Sequence, residues 1–412
     1  MPSRGAPARA YMRRVFRNGG KARLHKLFFR GVDFVPGNCL RLLEGGADFF
    51  PALINAIDDA RVEVHLETYI FNPDPSAAAV RDALIRAARR GVRVRLLVDG
   101  VGSRELPAEW KAAMREAGAA VLVYRPLVGR WRSNPHSLRR LHRKLAVVDA
   151  RIAFLGGMNL IDDFEPIRHE APRLDFSVEV QGPLLSAIHE SARHVWHLVA
   201  LSQLQPRQKL PLVPTWPTDG RVRAAFVVRD NFAHRRDIER LYLAALALAR
   251  GEIVIANAYF LPGRRFRKLL KHAAARGVRV HLIVQGHTDH PFFQAASRAL
   301  YRDLLAAGVA IHEYGASELH AKVAVVDGNW ATVGSSNIDP FSLLLAREAN
   351  VVVDDATFCG ELRARLGAAM AKSVTLDPAS WGKRAWPRRM LSWIAYEAVR
   401  LMVGLAGGGR WV

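Results

Sequence analysis

One phrase occurs twice in this chain of 412 residues and dictates its plan: His142-Arg143-Lys144 followed by Asp149, Gly156 and Asn159, then His320-Ala321-Lys322 followed by Asp327, Gly334 and Asn337. Both copies read His-x-Lys-x4-Asp-x6-Gly-x2-Asn. On average residue usage, one such five-residue match arises by chance on the order of once in ten thousand chains of this length. A second copy therefore makes duplication the natural reading. The likeness also extends beyond the motif, because Ala-Ala-Arg-Arg-Gly-Val-Arg-Val-Arg-Leu-Leu-Val at 87–98 is echoed by Ala-Ala-Ala-Arg-Gly-Val-Arg-Val-His-Leu-Ile-Val at 273–284. A period near half the chain means two related halves rather than a solenoid of short repeats.

Each half has the same order of elements. An early apolar strand, about 61–71 and 252–261, precedes a helical segment, and Gly91 or Gly277 punctuates the passage to a Val-rich strand. Another helix and strand lead to His-x-Lys. This alternation predicts an α/β protein: two duplicated α/β/α sandwich halves with mixed sheets forming one central active site, the strand order being left open. Pro206, Pro211, Pro214 and Pro217 mark a connector that cannot continue a helix. The expected segments are a basic N-terminal stretch at 1–40, a first half at 41–205, the connector at 206–222, a second half at 223–375 and a C-terminal membrane-associating stretch at 376–412.

Half of the residues are apolar, enough for a large core. Cys39 and Cys359 alone offer neither a disulfide framework nor a multi-cysteine metal site. The net charge of +22 attracts nucleic acid, anionic lipid or another anionic partner, without choosing among them. Nine Arg and Lys stand in the first thirty residues, but the apolar run of a secretory signal is missing. No run of eighteen apolar residues occurs, so the expectation is a soluble or peripheral protein.

On a strand, positions two apart share a face, so His142 and Lys144 reach one site, as do His320 and Lys322. An ammonium beside each imidazole disfavours a metal cation and favours a phosphate anion, which predicts metal-independent chemistry with no cofactor. The motif acids Asp149 and Asp327 enter the candidate catalytic set as motif members. They lie an odd number of positions onward, and Asp327-Gly328 reads as a hairpin turn, so they are expected to support the motif's architecture rather than touch phosphorus. The Gly-Gly-Met-Asn and Gly-Ser-Ser-Asn loops permit close backbone approach; Asn159, Ser335 and Asn337 are the candidate phosphate-binding residues. His65, His189, His194 and His197 are expected to be structural, and His287-Thr288-Asp289-His290 to be a polar loop.

The two motifs resemble those of the phospholipase D superfamily, and longer stretches resemble its B-type bacterial cardiolipin synthases. These include Arg140-Leu141-His142-Arg143-Lys144, Arg229-Asp230-Asn231, Asn257-Ala258-Tyr259-Phe260 and Trp330 through Asn337. The resemblance implies a ping-pong phosphatidyl transfer in which one His forms a phosphohistidine and the other protonates the leaving glycerol. Lys144, Lys322, Asn159 and Asn337 would stabilise charge on the phosphorane oxygens. By the same analogy Asp175 and Glu348 orient the imidazoles, with a structural ion pair as the alternative for either. The implied substrates are two phosphatidylglycerol molecules and the implied place is the bacterial cell membrane, peripherally, on its cytoplasmic face. No nucleic-acid partner is expected, and protein partners are left open. The competing readings are a phospholipase or nuclease using the same residues, and a binding protein without catalysis.

One departure separates the copies: Gly157 stands where the second has Ser335, so the two halves are expected to bind phosphate unequally. Near the C terminus Met390, Leu391, Ile394, Ala398, Leu401, Met402 and Leu405 share a helical face behind Arg388 and Arg389. That pattern suits an interfacial helix or one packed on the core; the nearby Trp381, Trp386 and Trp393 favour the membrane surface.

Overall fold

The computed structural model describes residues 32–126, 139–164, 171–205, 218–286, 291–383 and 386–405. Residues 206–217 of the Pro-rich connector, the run His287 to His290 and most of the basic N-terminal stretch lie outside the described residues, and β8 takes in the end of the connector at Val222. The first half runs β1 (Val35–Glu44), α1 (Gly45–Asp58), β2 (Glu63–Thr68), α2 (Pro75–Arg89), β3 (Arg93–Asp99), α3 (Ala108–Glu116), β4 (Ala120–Tyr124), β5 (Lys144–Val148), β6 (Ile152–Gly156), β7 (Phe176–Gln181) and α4 (Leu185–Ser202). The second runs β8 (Val222–Arg229), α5 (Asp237–Leu248), β9 (Glu252–Asn257), α6 (Arg264–Ala275), β10 (Arg279–Gln285), α7 (Pro291–Leu305), β11 (Ala310–Tyr314), β12 (Lys322–Val326), β13 (Trp330–Gly334), α8 (Pro340–Leu344), β14 (Glu348–Asp354) and α9 (Ala356–Ala371). β15 (Ser373–Thr375), α10 (Pro378–Gly382) and α11 (Trp386–Leu405) follow.

All strands join one mixed sheet in the order β15-β11-β10-β9-β12-β13-β14-β8-β1-β7-β6-β5-β2-β3-β4. Reading outward from the central β8–β1 pair, the six strands β14-β13-β12-β9-β10-β11 on one side match β7-β6-β5-β2-β3-β4 on the other in sequence order, and β15 adds an edge strand to the second half alone. Duplication has thus become a pseudo-twofold arrangement about that antiparallel seam. β2-β3-β4 and β9-β10-β11 pair in parallel, whereas the motif strands β5 and β12 run antiparallel to β2 and β9. β1 already begins at Val35, so the sheet takes in part of the stretch expected to precede the first half. Buried Asn38 pins the seam: its amide donates to the carbonyls of Val35 (2.6 Å) and Val222 (3.2 Å), and its oxygen accepts from the Leu184 N–H.

The motif strands β5 and β12 are buried on both faces and, after their opening lysines, read as continuous apolar runs, as strands covered on two sides must. α1, α2 and α3 cover the outer face of the first half, and α5, α6 and α7 that of the second. The inner faces meet across the middle, where Phe176, Val178 and Leu155 share a core with Val333, Ala349 and Val351. α4 and α9 close its edges. The two halves therefore share one sheet and one core, and whatever stands at the shared strand ends is held from two sides.

Candidate active site

Lys144 opens β5 and Lys322 opens β12, which puts each His just ahead of its strand, at the end of the sheet where the parallel strands finish. There the chain crosses between halves. Leu141 bridges to Arg347, with the His142 N–H on the Arg347 carbonyl at 3.0 Å, while Leu174 bridges to Leu319, with the His320 N–H on the Leu174 carbonyl at 2.9 Å. Each motif is thereby laid against the acid-bearing segment of the opposite half. His142 Nδ1 lies 2.9 Å from Glu348 Oε1, and His320 Nδ1 lies 2.6 Å from Asp175 Oδ2. The carboxylates are buried and the imidazoles only 17 % and 13 % exposed, so Nε2 is the nitrogen each ring has left to offer. A carboxylate on Nδ1 fixes the tautomer and supports positive charge on the ring.

The couples sit within electrostatic reach of one another: His320 is influenced by Lys322, Lys144 and His142, and His142 by Lys144 and Lys322. Burial lowers both imidazoles and favours their neutral forms; the neighbouring cations add to it at His320, while at His142 Glu348 opposes it and the lysines add to it. Burial also brings Lys144 down to about 7 and Lys322 to about 8. Each ammonium donates to the carbonyl of its own motif His, Lys144 Nζ at 2.7 Å. A phosphate oxygen held between these two desolvated lysines would favour their charged forms.

The acids differ. Burial pushes Asp175 up to about 7. Burial pushes Glu348 upward as well, but His142, Lys144 and the Ser335 hydroxyl outweigh it and hold this carboxylate below its usual range. Ser335 is the source of the asymmetry. Its fully buried Oγ donates to Glu348 Oε2 and accepts the Ala349 N–H at 3.1 Å, so this hydroxyl supports the acid and has no free reach toward phosphate. That corrects the expectation of Ser335 as a phosphate ligand. In the first copy a Cβ on Gly157 would meet Asp175 Oδ1 at 2.0 Å, so the space is filled by the acid itself.

Asp149 and Asp327 lie at the far end of the motif strands. Asp149 accepts the backbone N–H groups of Arg61, Val62 and Glu63 at 2.7–2.8 Å; Asp327 accepts those of Arg250, Gly251 and Glu252 at 2.7–3.0 Å. Each carboxylate fastens the hairpin after its motif to the start of the neighbouring strand, removing both acids from the reacting set. The hairpin at Asp327 and Gly328 has φ of 53° and 67°, the left-handed turn its sequence signals. Asn159 and Asn337 are buried on the loops leaving β6 and β13 at the catalytic end; the Asn159 oxygen takes the Ile70 N–H at 3.2 Å.

Other positioning residues were not singled out by the sequence. Asp99, the last residue of β3, accepts the Leu141 N–H at 2.9 Å and grips Arg140; Gln285, its counterpart on β10, accepts the Leu319 N–H. Arg143 turns away from the site to pair with buried Glu67 and to reach Ser191 Oγ at 2.8 Å. Arg173 pairs with Glu318 across the halves at 2.9 Å, and Arg229 donates to the carbonyls of Leu344 and Ala346 ahead of Glu348. The Tyr69 ring lies 4.9 Å from His142. Repetition gave no signal for these residues, since Glu318 stands where the first copy has Arg140, Ala321 where it has Arg143 and Gln285 where it has Asp99.

Among the described residues, Glu63, His65 and His189 form the one cluster with metal-ligand spacing. The buried Arg95 guanidinium stands 3.1 Å from Glu63 and 3.3 Å from His65 Nε2. A cation there would meet an existing positive charge, so the cluster is a charge-balanced structural network.

A family profile described as cardiolipin synthase, phospholipase D-like domain, matches residues 53–170 and 242–369, one stretch in each half. Cardiolipin synthase B of Escherichia coli strain K12 is 38 % identical over 384 residues, covering 90 % of both chains. Cardiolipin synthase A of Edwardsiella ictaluri is 31 % identical over 89 % of this chain and 76 % of that one. In fold, the chain is similar to phosphatidylserine synthase of Haemophilus influenzae, with a TM-score of 0.67 at 13 % identity over 92 % of this chain and 98 % of that one. With full-length relatives on one side and two cross-braced His-Lys motifs on the other, the chain belongs to the phospholipase D superfamily, as a phosphatidyltransferase of its cardiolipin synthase family.

Proposed function

We propose that this enzyme transfers a phosphatidyl group from one phosphatidylglycerol to a second, releasing glycerol and forming cardiolipin. The observation that carries the reading is the crosswise bracing of two imidazoles, each with Nδ1 on a carboxylate from the opposite half, beside two buried ammoniums. One neutral imidazole attacks the phosphodiester through Nε2, forming the P–N bond as the P–O bond to glycerol breaks. The other, protonated, gives that glycerol oxygen its proton. The headgroup hydroxyl of the second lipid then attacks phosphorus, passing its proton to the now neutral acid-base imidazole while the P–N bond breaks. Lys144 and Lys322 hold the equatorial oxygens, where negative charge builds. The pseudo-symmetric site engages Nδ1 of both imidazoles and leaves Nε2 of each for phosphorus or proton transfer.

A lipid substrate requires a surface to draw it from, and no described helix is long and apolar enough to cross a membrane. α11 supplies the alternative. Its small side chains Ala395, Val399 and Val403 pack inward on Ala296 and Leu300 of α7, while Leu391, Trp393, Ile394 and Leu401 are left 48–66 % exposed. Large apolar groups outside and small ones inside suit an interfacial helix better than a core helix. Phe164 and Phe232, on loops following β6 and β8, and Phe292, in the first turn of α7 after β10, are likewise exposed. These features support a peripheral enzyme on an anionic membrane face, the cytoplasmic one in a bacterial cell.

The test is to incubate purified protein with defined phosphatidylglycerol vesicles, without added metal, and identify products by mass. Cardiolipin with an equal amount of glycerol is the expected result. Phosphatidic acid alone would reassign the enzyme to hydrolysis, and no turnover would revive a binding role.

A further inference from the structure

Outside the catalytic centre, the second half carries a groove of about 390 Å³ between the C-terminal part of α7, α10 and the first turns of α11. Its volume falls in the range of roughly 300–1,000 Å³ typical of small-molecule sites. Trp381, Trp386 and Trp393 line it together with Met390, and Arg298, Arg302 and Arg389 supply its charge. Arg298 is already paired with Glu313 at 3.0 Å. Neither Arg302 nor Arg389 makes an ion pair among the described residues, and no carboxylate among them lines the groove. Two unpaired guanidiniums bordered by indoles present donors for phosphate oxygens beside an apolar wall that prefers the boundary between headgroups and acyl chains. Leu391 and Ile394, next to the groove-lining Met390 and Trp393 in sequence, are exposed on the same turns of α11 and offer apolar surface to acyl chains.

We propose that this groove is a second lipid-binding site, separate from the catalytic histidines, that holds the phosphate of an anionic glycerophospholipid and docks the enzyme on the bilayer. The inference rests on the reading of the substrate as a membrane phospholipid. It adds a recruiting site that never meets the reacting phosphorus. The occupant is a bilayer lipid rather than free phosphate because the groove's indoles and the α11 ridge extend an apolar path that an inorganic ion cannot use.

The experiment uses the full chain with vesicles of phosphatidylglycerol in phosphatidylcholine, compared with pure phosphatidylcholine, and reads flotation at moderate salt. The Arg302→Gln/Arg389→Gln variant should bind the anionic vesicles on the order of 10-fold more weakly. Its turnover of dissolved, monomeric short-chain phosphatidylglycerol should match the parent. Arg89→Gln/Arg151→Gln, on exposed positions of the first half, removes the same charge elsewhere and should change binding less than 2-fold (roughly, for charges away from the surface). Brominated acyl chains should quench tryptophan fluorescence, and Trp386→Phe/Trp393→Phe should lose most of that quenching. Equal weakening by both charge variants, unchanged binding by the groove variant, quenching that survives the Trp exchange, or displacement by millimolar inorganic phosphate as effective as by added lipid would each overturn the groove. Absence of monomer turnover in the parent would instead count against the catalytic reading, leaving the binding result to stand by itself.

Discussion

The two motif copies are near-identical in backbone and unlike in what surrounds them. In the first, Arg143 is buried against Glu67, the tilted Tyr69 ring packs against the imidazole and Gly157 leaves room for Asp175. In the second, Ala321 replaces the arginine, Ala256 stands at the strand position equivalent to Glu67 and Ser335 steadies Glu348. What the copies keep is the geometry of imidazole, ammonium and opposite-half carboxylate; what they change is how the field around it is set. Symmetry of position therefore coexists with inequality of charge, which suits a reaction needing one neutral and one protonated imidazole at the outset.

The hardest blow to this picture comes from removing either ring. His142→Ala and His320→Ala should each lower transfer on the order of 1,000-fold or more, measured on folded protein, since one imidazole cannot serve both proton roles. Mass spectrometry of acid-sensitive phosphoenzyme in the two variants identifies the nucleophile as the one whose loss abolishes the adduct. Next come the acids: Asp175→Asn and Glu348→Gln should each cost roughly 10- to 100-fold in kcat with little change in KM, as oriented rings lose their partners. Equal activity of parent and variant would reduce either acid to a structural ion pair.

Stability effects sharpen the contrast further. Arg143→Ala leaves Glu67 buried and alone and should cost about 3–5 kcal/mol in denaturant unfolding. Adding Glu67→Ala, which recreates the pairing native to the second copy, should recover part of that loss. Asp149→Ala should cost about 1–3 kcal/mol by orphaning three backbone N–H groups, and Asp327→Ala less, because Asp327 is exposed and water replaces it. Thermal unfolding orders the pair. The smallest expected effect concerns pH: Ser335→Gly removes a hydrogen bond that favours ionised Glu348, so the pKa of that acid rises. The acidic limb of the rate profile should then move to higher pH, with the rate at its plateau reduced only a few-fold; a limb that stays in place would separate Glu348 from proton control.

Much of this was legible from residue order alone. The twofold repetition of His, Lys, Asp and Asn at fixed spacing exposed the duplication and singled out the His-Lys couples that the fold brings together, and the odd offset of Asp149 and Asp327 agrees with their place on the backbone at the other end of the motif strands. Joining of the halves into a single sheet was not legible, because the β1–β8 seam depends on Asn38 and a short, irregular pairing with no local pattern. The role of Ser335 was misjudged since a hydroxyl in a Gly-Ser-Ser-Asn loop looks identical whether it meets an incoming oxygen or a buried carboxylate. Arg143 stayed hidden for a related reason: the central motif position points away from the site, and only the fold reveals that Glu67 waits there.

The crosswise bridges at Leu141–Arg347 and Leu174–Leu319 have one more consequence. Neither lobe contains a finished imidazole–carboxylate couple, so separating the lobes by the length of a hydrogen bond disarms both rings at the same moment. Catalytic competence is then a property of apposition, switched on once when the chain closes and incapable of surviving by halves.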